Sequence, residues 1–120
     1  LLDANSIFDM SAGNQTLGNI NGVTGTFIEL GNKTLTFGTS SDSNIASGID
    51  GVGGKIVKQG TGTWSVSGNN TYTGGTTINA GTVKVNHNYA LGSGNVIMKD
   101  GTTFVSEKTL SLSNKFTLDG

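Results

Sequence analysis

Apolar residues in this chain recur in short alternating runs separated by glycine-centred breaks. The runs cover residues 15–20, 26–30, 34–39, 44–49, 55–58, 63–67, 76–80, 82–86, 95–99, 102–106, 109–113 and 115–119, with a further one at 6–11. They are rich in β-branched residues, which suit strands better than helices. Leu35 and Phe37 alternate with Thr34 and Thr36, and Trp64 and Val66 alternate with Thr63 and Ser65. Val83 and Val85 alternate with Thr82 and Lys84, and Leu110 and Leu112 alternate with Thr109, Ser111 and Ser113. Phe116 and Leu118 close the series. Successive strand side chains point to opposite faces, so this pattern gives a sheet with one apolar face and one face of Thr, Ser and Lys. No stretch of helical length carries helical apolar spacing, and the chain reads as all-β.

The breaks set the architecture. Asn21-Gly22, Asp50-Gly51 and Asp100-Gly101 are turn pairs that supply positive φ at little cost. The runs begin about nine residues apart, and three would make a coil near 27 residues. Lys55, Thr82 and Thr109 begin runs at that spacing. A repeat of this length points to a solenoid or propeller. Short strands, Gly/Asn corners and the absence of proline suit a three-faced, right-handed parallel β-helix of about four coils. A sandwich or a set of propeller blades would give strands at similar spacing. In the β-helix the interior would hold Leu35, Phe37, Trp64, Val66, Ile78, Val83, Val85, Leu110, Leu112, Phe116 and Leu118.

Composition narrows the function classes. Gly, Thr, Asn and Ser make up 62 of the 120 residues, a bias that could mean disorder were the apolar runs not so regular. There is no cysteine, which excludes disulfides, cysteine-bound zinc and thiol nucleophiles. All 7 basic residues are lysines and the net charge is -1, so the charge balance makes no case for nucleic acid. No apolar run approaches the roughly 20 residues of a membrane-spanning helix. The chain opens on Leu1-Leu2-Asp3 and stops within the pattern at Leu118-Asp119-Gly120, so residues 1–120 read as one segment of something longer.

One block carries more than composition. Residues 58–83 read KQGTGTWSVSGNNTYTGGTTINAGTV, and residues 90–94 read ALGSG. The block resembles the passenger-associated repeat of bacterial autotransporters, K-x-G-x-G-T-L-x-L-S-G-x-N-x-Y-x-G-x-T-x-I-x-x-G-x-L, and 90–94 is similar to the corner that usually follows it. Trp64 and Val83 stand where that pattern has Leu. Looser likeness extends upstream, through 13–17 and 30–38. The resemblance implies a right-handed parallel β-helix at the bacterial cell surface or outside it, with the recognisable repeat at about 58–94. Gly60, Gly62, Gly68, Gly74, Gly75 and Gly81 would form its corners, and Asn69 and Asn70 would link neighbouring coils by side-chain hydrogen bonds.

Candidate chemistry is thin. His87, the only histidine, lies in a loop with no partner visible at catalytic or metal-ligand spacing. The eight carboxylates are spread about one per run or turn, and those of Asp50, Asp100 and Asp119 precede glycines as turn residues do. No Gly/Asp-rich calcium nonapeptide and no phosphate-binding loop is present. The expectation is therefore no catalytic, metal or cofactor site. Tyr72 stands out at a corner, either covering the apolar interior or meeting a host glycan or partner protein. The resemblance implies a structural stalk segment of a type V secretion passenger, with the protein's own C-terminal translocator β-barrel as partner. An adhesin or self-association surface for host cells or glycans, using loops such as 39–47, is the alternative. A toxin or protease passenger with its active region elsewhere is a further one. No nucleic acid or small-molecule substrate is expected.

Overall fold

An alternating run buries only one of its faces, and this chain buries it by turning a corner after nearly every run. The computed structural model describes residues 7–10, 12–18, 20–22, 26–46, 48–106 and 114–119. They form β1 (Ile7–Asp9), β2 (Gln15–Leu17), β3 (Asn21–Gly22), β4 (Phe27–Glu29), β5 (Thr34–Phe37), β6 (Ser43–Ile45) and β7 (Gly48–Asp50). Then follow β8 (Lys55–Lys58), β9 (Thr63–Val66), β10 (Gly75–Ile78), β11 (Thr82–Val85), β12 (Val96–Lys99), β13 (Thr103–Ser106) and β14 (Phe116–Asp119). Consecutive strands enter different sheets, in the orders β2-β5-β8-β10-β12-β14, β3-β6-β9-β11-β13 and β1-β4-β7. Among the described residues all pairings are parallel. The result is a three-faced parallel β-solenoid.

The coil is shorter than the 27 residues the run spacing suggests. On the largest sheet the register runs Gln15, Leu35, Ile56, Thr76, Val96, Phe116, steps of 20 or 21 residues. The chain therefore makes about five turns where four were expected. Lys55 and Thr82 lie in different sheets, β8 and β11, and Thr109 lies outside the described residues. The 27-residue spacing arose from treating every run as one full face. Run 44–49 is in fact two strands on two faces, β6 and β7, with Ile45 and Ile49 both buried. Beyond β7 the third face carries no strand among the described residues, yet the coil length stays at 20 residues.

Inward side chains form stacked columns. Leu35, Ile56, Thr76 and Val96 make one, and Phe37, Lys58, Ile78 and Met98 another. The facing sheet contributes Ser43, Trp64 and Val83, with Ile45, Val66 and Val85 beside them. Phe37 meets Trp64 edge-to-face, with centroids 5.2 Å apart, a favoured aromatic geometry. Of the expected interior residues, Leu35, Phe37, Trp64, Val66, Ile78, Val83 and Val85 are buried. Leu110 and Leu112 lie outside the described residues. Phe116 and Leu118 depart from the expectation, being 38% and 84% exposed. Both stack in register on the buried Val96 and Met98, so they occupy inward columns. They are open because β14 is an edge strand, with no described coil stacked on its far side.

Candidate functional site

The repeat that stands out in the sequence is one turn and a half of the solenoid, β8 to β11, and its functional side chains sit at the corners. Lys58 occupies the last inward position of β8, in the column between Phe37 and Ile78. It is only 2% exposed. Its Nζ donates to the carbonyls of Gln59 (3.2 Å), Gly60 (2.9 Å) and Ala80 (3.0 Å), so one ammonium ties its own corner to the next coil. Burial pulls this amine below the usual lysine range, and the nearby Asp42 carboxylate opposes that effect. Asp42 also accepts the Thr63 N–H at 2.9 Å, holding the start of β9.

The cradle needs a bare backbone above it. A Cβ at Gly81 would lie 2.4 Å from the Gly62 carbonyl oxygen and 2.7 Å from Lys58 Nζ, and its φ of +77° suits glycine alone. Glycine here permits the close approach of two corners and admits the lysine.

Asn70 does at the second corner what strand pairing does elsewhere. It is buried, and its Oδ1 accepts the Ile49 N–H at 2.8 Å while its Nδ2 donates to the Ala90 carbonyl at 2.6 Å. One side chain thus bridges the coil before and the coil after, where the third face has lost its strand. Asn114 has a similar role further on, its Nδ2 donating to the carbonyls of Leu91, Gly92 and Gly94. Asn69, beside Asn70, is exposed and makes no such bridge.

Tyr72 takes the first of its two expected roles, in the apolar interior, and not the partner contact. It is fully buried, and its hydroxyl shares a hydrogen bond of 2.6 Å with Thr76 Oγ1 inside the core. A partner cannot reach it. Burial pushes its phenol above the ordinary tyrosine range, with the Thr76 hydrogen bond a smaller opposing effect. The exposed aromatic of this region is Tyr89, 53% exposed, which no periodicity marks. Its only sequence signal is its place beside the single histidine in Asn86-His87-Asn88-Tyr89. Lys58 also escapes sequence reasoning as a buried group, although the alternation of Lys55–Lys58 places it on the inward side with Ile56.

His87 is half-buried, and its Nδ1 accepts the Tyr89 N–H at 3.0 Å. The two rings lie 5.8 Å apart, tilted by 45°. Among the described residues no three His, Asp or Glu side chains cluster as a metal site would require. The corners bind neighbouring coils of the chain itself, and the arrangement defines a scaffold built from self-stacking coils.

Comparison with known proteins narrows that class. Residues 56–85 match the family model described as the passenger-associated-transport-repeat. The Adhesin BmaC autotransporter of Brucella suis biovar 1 (strain 1330) is 35% identical over 103 residues. That stretch is 84% of this chain and 3% of that protein, so the chain spans a small fraction of the relative's length. No solved structure matches. These matches support an autotransporter passenger repeat within the chain. Passengers of this class are exported to the cell surface or the extracellular space.

Proposed function

We propose that this chain is a structural stalk segment of an autotransporter passenger, whose coil-by-coil folding outside the cell supports secretion and displays a function carried elsewhere in the protein. The observation that carries this reading is the unbroken stacking of coils through the repeat. β5, β8, β10 and β12 pair in parallel, and Lys58 and Asn70 add side-chain links between coils. Each coil touches only its neighbours, so stability is close to a sum of coil and interface terms, and folding can advance from one end. Coils folded outside a membrane pore cannot slide back through it, which biases transport outward. The partner in this reading is the protein's own C-terminal translocator β-barrel. No step of chemistry is assigned to the segment.

The test compares Ile78→Asp with Thr77→Asp in the full passenger. Ile78 is fully buried, and a carboxylate placed there would lose its water and draw Lys58, its column neighbour, off the Gln59, Gly60 and Ala80 carbonyls; Thr77 is the neighbouring outward position on the same strand. Surface display and protease resistance should fall in the first variant and hold in the second, at equal expression. Equal display of both would sink the scaffold reading.

A second reading has the similarity to an adhesin behind it: the exposed faces themselves bind host cells or other copies of the passenger. A cell-binding or autoaggregation assay separates it from the scaffold reading.

A further inference from the structure

The third face of the solenoid changes along its length. In the first coils it carries β1, β4 and β7; past β7 the described backbone takes irregular paths at 69–72 and 89–92. Between these two segments lies a recess of about 340 Å³ lined by Asn69, Asn70, Thr71, Tyr89, Gly92 and Ser93. That volume falls at the lower end of the range for small-molecule sites.

Its chemistry is specific. None of the six lining residues is an acidic or basic residue, and the Thr71 hydroxyl donates to the Asp50 carboxylate. Gly92 lines it with bare backbone packed on Tyr72: a Cβ there would lie 2.2 Å from the Tyr72 carbonyl oxygen, so that position admits no side chain. The Tyr89 ring stands at the edge, half exposed, steadied by the His87 hydrogen bond and ring contact. Asn69 and Ser93 are exposed around it. The amide of Asn70 is already committed to Ile49 and Ala90, so it shapes the recess without serving a ligand.

We propose that this recess binds a neutral saccharide unit. A pyranose ring offers what the recess can use: a C–H face to lie on the electron-rich face of an aromatic ring, and hydroxyls for short neutral side chains. An anionic glycan would find no cation among the lining residues. An extended peptide would need a free strand edge, whereas the amides of Asn70 and Thr71 are already bonded to Tyr89 and Ile49. This site goes beyond the scaffold reading, because a stalk needs no ligand.

The test is saturation-transfer NMR on the folded chain. Lactose, maltotriose and triacetylchitotriose serve as neutral probes, with a heparin hexasaccharide and a Ser/Thr-rich peptide as the charged and peptide probes. Transfer to ring protons of at least one neutral probe is expected. Affinity should fall about tenfold in Tyr89→Ala, the equivalent of about 1.4 kcal/mol, and stay within about threefold in Tyr89→Phe. Asn69→Ala, at an exposed position, should weaken the same probe, and Val57→Ser on another face should leave it unchanged. Circular dichroism confirms that each variant is folded; should Tyr89→Ala fail there, Asn69→Ala decides. Transfer to no neutral probe would overturn the proposal, as would transfer to heparin or peptide alone, or transfer indifferent to both Tyr89→Ala and Asn69→Ala.

Discussion

Replacing Asn70 by Ala tests whether a single side chain carries the third face where its strand ends. The change removes an acceptor 2.8 Å from the Ile49 N–H and a donor 2.6 Å from the Ala90 carbonyl. Both contacts are buried, and Asn70 itself is 3% exposed. A buried backbone group left without a partner costs about 1–3 kcal/mol, so the two together cost roughly 2–6 kcal/mol. Water entering the recess would bring the cost toward the lower value. Other links across the same corner survive, including Asn70 N–H to Tyr89 and Thr71 N–H to Ile49, so the fold itself should persist. Against a domain stability of about 5–15 kcal/mol, the loss is large. Urea denaturation should show a lower midpoint at an unchanged slope. Asn69→Ala, one residue away and exposed, should stay within about 0.5 kcal/mol of the parent. Hydrogen exchange gives a sharper reading, because the Ile49 amide should lose protection before distant coils do. Equal stability of Asn70→Ala and Asn69→Ala, with Ile49 still protected, would refute the bridging role.

Two further outcomes follow from the buried polar groups. Tyr72→Phe should cost about 1 kcal/mol at neutral pH by leaving buried Thr76 without its partner. It should also flatten the alkaline limb: the folded phenol stays protonated while the unfolded one ionises near 10.0, so parent stability falls as pH rises above 10, and a parallel fall in the variant would count against this. Lys58→Met should leave the carbonyls of Gln59, Gly60 and Ala80 without the lysine donor, at a cost of about 2–4 kcal/mol and a fall in melting temperature of roughly 8 °C or more. A melting temperature within a degree of the parent would refute it.

The sequence makes the strands legible because each run alternates, and period-2 patterning leaves only one way to bury Leu35 with Phe37 or Trp64 with Val66. Coil length was less legible. A corner between two sheets and a break within one run look alike in sequence, so 44–49 reads as a single strand although the chain turns between Ile45 and Ile49. Burial at the edges was also hidden. Phe116 and Leu118 keep the inward pattern, but pattern reports direction and not whether another coil lies beyond. The polar corners divide in the same way. Asn69 and Asn70 are equivalent as letters, and only the three-dimensional path shows that one bridges coils while the other faces solvent. That Tyr72 is buried while Tyr89 is open was hidden for a similar reason. Each is an aromatic in a Gly/Asn-rich corner, and the bare Gly92 backbone covers the first while the second is left open.

Stacked parallel coils of nearly equal length raise a problem that backbone pairing cannot solve. A slip of one whole coil keeps the inward alternation and most ladder hydrogen bonds, so the strands alone specify register weakly. The corners supply the missing information. If β13 stacked where β11 now stands, Thr102 would take the place of Gly81, since both immediately precede strands whose first residues, Thr82 and Thr103, are in register. A Cβ at that place meets the Gly62 and Gly60 carbonyl oxygens at 2.4 Å and 2.7 Å and crowds Lys58 Nζ, so a threonine cannot be accommodated. On the third face, the residue one coil beyond Asn70 is Ala90, whose methyl group can neither accept from Ile49 nor donate to a carbonyl. A slipped coil would therefore lose two side-chain bonds and gain a backbone clash within the same turn. Buried polar groups of this kind can cost stability relative to a purely apolar interior. In this solenoid they make one stacking order sterically and electrostatically distinct from the next, as a chain that folds one coil at a time requires.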